Sequence, residues 1–324
     1  MRIVITGGAG FLGTRLARKL LERGSLVDAA GQCRPLRQLV LLDVAAAAVN
    51  DPRVTAVAGD LADPAVIERV VTIDTDSIFH LAAVVSGQAE AEFDTGMRVN
   101  LDATRALLER CRKLNKPPKF VFTSSLAVFG GKLPDPVPDD APLTPQTSYG
   151  AQKAIGELLV YDMTRKGYID GRSLRLPTVT VRPGKPNKAA SSFASGIIRE
   201  PLSDVDAVCP VAPETELWVT SPRQVIDNLI VGHDVAASKF GQTRSVNVPG
   251  LRISVGAMVD ALRRVAGDAV AARVKWQIDP VIDRIVQTWP PNFAPRLGPA
   301  LGMGADTDFD EVVRAYIADG MLAG

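Results

Sequence analysis

Histidine is almost missing from this chain and cysteine is scarce. The two histidines, His80 and His233, and the three distant cysteines, Cys33, Cys111 and Cys209, show no CxxC or clustered ligand spacing. A zinc centre is therefore not expected. An odd number of scattered thiols fits a reducing compartment and argues against a disulfide framework. Long apolar runs are also lacking. The greasiest stretch, LVLLDVAAAAV, is broken by Asp43 and falls short of the ~18 apolar residues of a spanning helix. The opening MRIVITGG has no h-region and no small-residue cleavage site, so the expected location is the cytoplasm. Charge of one sign is missing too. A net charge of +1 gives no electrostatic reason to bind nucleic acid or an anionic membrane.

What is present is 324 residues, 46% of them hydrophobic, enough for one large domain or two fused ones. Residues 2–6, 38–44, 54–61, 77–84 and 119–125 read as strands. Between them, FLGTRLARKLLERG is a helix stopped at Gly24, another helix opens at Pro64, and a long one runs from about Ala89 to Leu114. Near-continuous apolar strands alternating with helices imply a parallel sheet covered on both faces. Beyond Arg172 the rhythm loosens. SLRLPTVTVRPG is a further strand, and KPNKAASSFASGIIREPLSD is polar and resembles a binding segment more than a linker. The expected class is α/β, a doubly wound parallel sheet with a smaller C-terminal α/β substrate domain. Residues 1–175, rejoined by roughly 216–248, form the nucleotide-binding domain; roughly 176–215 and 249–324 form the substrate domain.

TGGAGFLG joins the first strand to the first helix. Gly7 and Gly10 allow a tight turn and close approach of backbone to a pyrophosphate, and Gly13 allows close helix–strand packing. The helix start at Phe11 and Leu12 offers N–H groups and partial positive charge to phosphates. An acidic residue should close the second strand and hold the adenine ribose diol. Asp43 stands there, delayed by the insertion SLVDAAGQCRPL; Asp28 has the more ordinary spacing but a poorer strand context. No Arg or Lys follows Asp43 to meet a 2′-phosphate, so the expected cofactor is NAD and not NADP. Asp60 and Leu61 end the third strand and either flank the adenine or simply cap the strand.

Tyr149 and Lys153 lie four residues apart on one face of a predicted helix. A free tyrosine has a pKa of ~10. A neighbouring ammonium, with the positive charge of an oxidised nicotinamide, favours its phenolate. Tyr149 would then take a proton from an alcohol, with Ser125 holding the same oxygen. Ser125 ends the fifth strand, and ligands of open α/β sheets bind beyond the carboxyl ends of the strands.

Together, TGGAGFLG, HLAAVVSG, VFTSSLAVFGG and SYGAQK resemble the extended short-chain dehydrogenase/reductase family, which includes sugar-nucleotide epimerases and dehydratases. The likeness implies a Rossmann domain and a Ser125–Tyr149–Lys153 triad, with Lys153 also bridging the nicotinamide ribose hydroxyls. It implies further that Leu81, Ala82, Ala83 and Thr123 line the cofactor, that Asn100 supports the lysine side, and that Pro177, Thr178 and Val179 meet the nicotinamide end. Phe129 replaces the usual tyrosine after the serine pair.

The segment from Arg182 to Arg199 departs from the asparagine and GP pattern of nucleotide-sugar enzymes. It resembles a branch of the family that oxidises C2 of a four-carbon sugar acid with NAD. Arg182, Lys185, Lys188 and Arg199 are candidate partners of a carboxylate, with Ser191, Ser192 and Ser195 as hydroxyl donors. Lys185 and Lys188 read better as solvated loop residues, while Arg182 and Arg199 stay open between the two roles. Ser86 and Gly87 are further candidate substrate contacts. His80 reads as a core histidine, Trp218 as packing and Arg223 as a surface residue. The expected protein is a dehydrogenase of a small sugar acid, with a homodimer implied by the family resemblance alone, and alternatives are a nucleotide-sugar epimerase or an NAD-sensing regulator.

Overall fold

A computed structural model describes residues 1–184 and 189–320. Seven strands form one parallel sheet: β1 (Arg2–Thr6), β2 (Gln38–Asp43), β3 (Val54–Ala58), β4 (Ser77–His80), β5 (Lys119–Ser125), β6 (Asp170–Leu176) and β7 (Ser245–Asn247). Their order is β3-β2-β1-β4-β5-β6-β7. The order reverses between β1 and β4, and the carboxyl ends of those strands define the crevice where such sheets hold ligands.

The helices that cover the sheet are α1 (Phe11–Arg23), α2 (Pro64–Val70), α3 (Ala103–Arg112), α4 (Ser148–Arg165) and, after the substrate segment, α6 (Pro222–Asp234). Leu16, Ala17 and Leu20 give α1 its apolar face, and Gly24 ends it at φ 70° with its N–H on the Leu20 carbonyl. Asp63 caps α2, accepting from the Ala65 N–H at 2.9 Å, and Pro64 fills the first turn. Helices α1 and α6 bury one face of the sheet, with Leu16, Leu20, Leu39, Leu41, Val225 and Leu229 fully enclosed. Each such side chain contributes about 1.5–3 kcal/mol of burial. Helices α2, α3 and α4 cover the other face around Val4, Val40, Leu107 and Phe120.

Helix α5 (Ser192–Leu202), α7 (Val255–Ala266) and α8 (Phe309–Ala318) surround a second core of Ile197, Ile198, Leu217, Val219, Met258, Leu262 and Val313. A small sheet borders it, with Glu216–Thr220 between parallel Thr178–Val179 and antiparallel Leu251–Ser254. Glu216–Thr220 thus belongs to the small sheet, and the chain rejoins the large one at α6.

The insertion before β2 is a hairpin of Ser25–Val27 and Cys33–Pro35. β4 stops at His80 instead of reaching Val84. The long helix is interrupted: Ser86–Ala91 and Phe93–Gly96 precede a π-turn at Met97–Asp102 that leads into α3. The π-turn coincides with Asn100, whose side chain reaches inward to the β4 loop, and such turns frequently mark functional positions.

Candidate active site

The glycine loop closes on itself through contacts that no side chain would allow. Gly7 takes φ 73°, and a Cβ there would stand 2.9 Å from the Ala82 nitrogen. A Cβ at Gly13 would lie 2.1 Å from the Gly7 carbonyl oxygen, so α1 starts directly against the loop. Gly8, which the spacing pattern passes over, lies against β2, where a Cβ would be 2.7 Å from the Leu41 Cβ. Its signal was the doubled glycine. No side chain caps the start of α1, because the cap residue is Gly10. Among the described residues the N–H groups of Phe11, Leu12 and Gly13 meet no acceptor, so the helix start offers donors suited to a diphosphate. Asp43 stands beside them, its Oδ2 accepting from the Ala9 N–H at 3.0 Å and its Oδ1 from the Val44 N–H at 2.7 Å. Asp28, the competitor, sits in the hairpin turn and accepts from the Ala30 and Gln32 N–H groups at the opposite end of the sheet. Asp60 accepts from the Ala62 N–H at 2.9 Å and from Arg98 at 2.5 Å, which hold its carboxyl below the usual range, and Leu61 is buried. A backbone cradle, bare helix donors and a strand-end carboxylate suit NAD.

The end of β4 is fastened from both sides. Leu81 N–H donates to the Thr6 carbonyl at 3.1 Å, which draws Leu81, Ala82 and Ala83 across the switch point. His80 is wholly internal. Its Nδ1 pairs with the Thr6 hydroxyl at 2.7 Å and its Nε2 with Thr104 at 2.8 Å, and burial pulls its pKa down to about 3. It is the core histidine that its apolar strand suggested. Asn100 accepts from the Val84 N–H at 2.9 Å and donates to the Gln152 side chain at 2.8 Å. It thereby ties the β4 loop to α4, one residue from Lys153. Gln152 escaped the sequence reading because nothing marks an internal glutamine as structural.

The structure brings Ser125, Tyr149 and Lys153 together. Ser125 ends β5 and its Oγ accepts from the Ala127 N–H at 3.1 Å. Thr147 caps α4, its hydroxyl accepting from the Gly150 N–H, and so sets Tyr149 in the first turn. Lys153 is 2% exposed and donates to the Thr123 carbonyl at 2.8 Å. Its Nζ stands 5.6 Å from the centre of the Tyr149 ring. Burial pulls the lysine down to about 7, opposed by Glu157. Burial pushes the Tyr149 hydroxyl up to about 12, opposed first by the charge of Arg182 and then by a hydrogen bond with Ser125. Arg182, which the sequence did not link to the tyrosine, is thus a second cation acting on this hydroxyl, beside Lys153 under the ring.

Beneath the triad lies a buried ion pair that the sequence analysis overlooked. Arg175 of β6 grips Glu157 of α4 through Nε at 3.0 Å and Nη2 at 2.7 Å. The Ser124 hydroxyl donates to the same carboxylate at 2.5 Å, and Arg175 also donates to Asn247 of β7 at 3.1 Å. Four elements are locked together there. An arginine inside the apolar run SLRLP, and a glutamate one turn beyond Lys153, were the available signals.

The substrate segment divides its candidates. Pro177 is buried, and Thr178 and Val179 lie in the small sheet. Arg182 follows, partly buried, with Nη2 donating to the Ser191 carbonyl at 3.1 Å and hydroxyl at 3.3 Å. Ser195 is buried and accepts from the Arg182 backbone N–H at 3.0 Å. Arg199 is 7% exposed and donates to the Arg182 carbonyl at 2.8 Å and to Glu200 at 2.5 Å. Ser192 opens α5 and Ser86 and Gly87 open the short helix after β4, all three partly buried. Lys185 and Lys188 lie outside the described residues. Trp218 packs against Phe293 with ring centres 5.6 Å apart, and Arg223 pairs with Asp319 on the surface.

Known proteins share the sequence and fold of this chain. The model of the NAD dependent epimerase/dehydratase family covers residues 3–213. A D-erythronate dehydrogenase of Cupriavidus necator is 58% identical over 324 residues, spanning 100% of both chains. One from Haemophilus influenzae is 44% identical over 319 residues, 98% of this chain and 99% of the relative. A crystal structure from Agrobacterium tumefaciens, described as a nucleoside-diphosphate-sugar epimerase, superposes with a TM-score of 0.92 at 42% identity, covering 100% of this chain and 95% of the other. With its glycine cradle, its strand-end serine and its tyrosine–lysine helix, the chain belongs to the NAD dependent epimerase/dehydratase family.

Proposed function

We propose that this chain is an NAD-dependent dehydrogenase that oxidises D-erythronate at its C2 hydroxyl to the 2-oxo acid. The observation that carries the reading is the likeness to two D-erythronate dehydrogenases along the whole chain, 58% and 44% identical. The site has the parts such a reaction needs. NAD, when bound, supplies the hydride acceptor. Tyr149 takes the proton of the C2 hydroxyl as the C–H bond to that carbon breaks. Ser125 holds the same oxygen while its bond to carbon becomes a carbonyl. Lys153 steadies the tyrosine face from below, and Arg182 supplies positive charge beside the tyrosine hydroxyl. Residues of the second core carry Arg182, Ser192 and Arg199, in line with a substrate domain that closes on a cofactor domain. We place the reaction in the cytoplasm. We also propose a homodimer, supported by Leu158, 62% exposed on the helix that carries Tyr149; sedimentation equilibrium that finds only monomer would refute the dimer.

The test is NADH formation across four-carbon sugar acids, with nucleotide sugars as the contrast set. The expected result is NADH appearing with D-erythronate. The description of the Agrobacterium relative keeps an epimerase in view. Interconversion of a nucleotide sugar without net NADH, and no turnover of any sugar acid, would replace the dehydrogenase with it.

A further inference from the structure

Two guanidiniums, Arg182 and Arg199, lie close together in the substrate segment, and Arg199 is balanced by the carboxylate of Glu200. Burial and then the charge of Arg199 lower the Arg182 pKa. Glu200 pairs with Arg199 at 2.5 Å, and the described residues give Arg182 no carboxylate. The pair therefore holds one uncompensated positive charge next to Tyr149, and an anion would neutralise it.

The two arginines are not equivalent. Arg199 spends Nη1 on the Arg182 carbonyl and Nη2 on Glu200, and it is nearly enclosed. Arg182 is held at three points of its own length: its N–H by Ser195, its carbonyl by Arg199, and Nη2 by Ser191. Ser195 is fixed in turn by Thr180, whose hydroxyl lies 3.4 Å away and donates to the Ala194 carbonyl at 2.9 Å. Among the described residues, Nε and Nη1 of Arg182 meet no acceptor, so N–H donors on both edges of its guanidinium are left for a ligand, whereas Nη2 is already spent on Ser191.

We propose that Arg182 alone binds the substrate carboxylate, and that Arg199 is a positioning residue that holds the Arg182 backbone in place without touching substrate. The inference rests on the reading of an acid oxidised at Tyr149. It corrects the symmetry of the sequence, in which both arginines are equal candidates. A carboxylate held by a backbone-fixed arginine sits at one set distance from Ser125 and Tyr149, and that fixes which hydroxyl of the acid reaches the base.

A double-mutant cycle in the full-length enzyme separates the two roles. The readout is kcat/KM for D-erythronate against kcat/KM for its neutral amide. Arg182→Gln should lower the acid value by about 100-fold and the amide value by only about threefold, the part that its charge beside Tyr149 accounts for. Arg199→Gln should raise KM for the acid about tenfold with little change in kcat, and Arg199→Lys should recover most of it. In the Arg182→Gln background, Arg199→Gln should add no further loss, because its effect runs through Arg182. A double variant as poor as the product of the two singles would show that Arg199 contacts the acid and would overturn the proposal. NAD affinity checks that each variant is folded. Should Arg199→Gln fail there, Ser195→Ala loosens the same backbone, and an unchanged KM for the acid would count against the proposal. Calorimetric binding of D-erythronate to the NADH-loaded protein separates this inference from the reaction itself. Binding that depends on Arg182 without turnover refutes the dehydrogenase and keeps the anchor; turnover indifferent to Arg182→Gln does the reverse.

Discussion

The cofactor end of the large sheet and the segment from Thr178 to Leu202 face the same crevice but are built differently. At the cofactor end, backbone positions the chemistry. Gly13 abuts the Gly7 carbonyl, Leu81 N–H reaches Thr6, and Ser125 arrives on a strand paired along its length with β6. Among the described residues of the substrate segment only Thr178–Val179 joins a ladder, and Arg182 is held by Ser191, Ser195 and Arg199 through side chains. A backbone-built site tolerates little change because its contacts exclude every side chain larger than hydrogen. A side-chain-built site can be altered one residue at a time. Reaction type and substrate choice are thus carried by different kinds of contact.

The largest effect should come from the base. Tyr149→Phe removes the proton acceptor and leaves the ring, so kcat should fall by about 10³-fold or more while NAD affinity changes little. Isothermal titration with NAD, beside turnover of D-erythronate, reads both. Turnover within tenfold of wild type would mean that another group takes the proton. A weakened NAD affinity in that variant would blur the division between the two regions. The same variant speaks to an NAD-sensing role, since sensing would survive the loss of the hydroxyl.

Most of the cofactor end was legible in the chain because its signals are local. A glycine loop between a strand and a helix, a serine closing a strand, and a tyrosine and lysine four apart each concern neighbours in sequence. The element boundaries that slipped have tertiary causes. β4 ends at His80 because Asn100, sixteen residues beyond Val84, takes the Val84 backbone out of the ladder. The Glu157–Arg175 pair was invisible because its partners are separated by a helix and a strand and meet only when α4 packs on β6. In the substrate segment the residue types were readable and their roles were not. Arg182 and Arg199 look alike in sequence, and only the fold turns one toward Tyr149 and the other toward a carbonyl.

A second, smaller test acts on the cofactor side alone. Asp43→Asn keeps the contact with the Ala9 N–H but removes the negative charge at the end of β2. The preference for NAD over NADP in kcat/KM should drop by about tenfold, since the carboxylate both holds the ribose diol and repels a 2′-phosphate. KM for the acid should stay within twofold of wild type, an order-of-magnitude expectation for distant, independent sites. A large rise in that KM would mean that the two regions are not separable.

The smallest effect asks whether the substrate segment also acts on the base. In the cofactor-free protein, burial sets the Tyr149 hydroxyl at about 12, and Arg182 is the first charge that opposes this. Tyr149 accepts a proton only as phenolate, so kcat/KM for oxidation should rise with pH as it ionises. Removing a cation that favours the phenolate raises the tyrosine pKa, so in Arg182→Gln the rising limb should move to higher pH. Arg182 is only partly buried and its charge is screened, so a shift of about half a unit is expected. The neutral amide is the substrate to use, because its affinity does not depend on the carboxylate that Arg182 binds. Arg182→Lys keeps a charge but loses the planar fork, and it should restore the pH limb without restoring the preference for acid over amide. An unmoved limb in Arg182→Gln would confine Arg182 to binding. A moved limb would show one side chain serving both regions: it selects the acid and lowers the pH at which Tyr149 becomes a base.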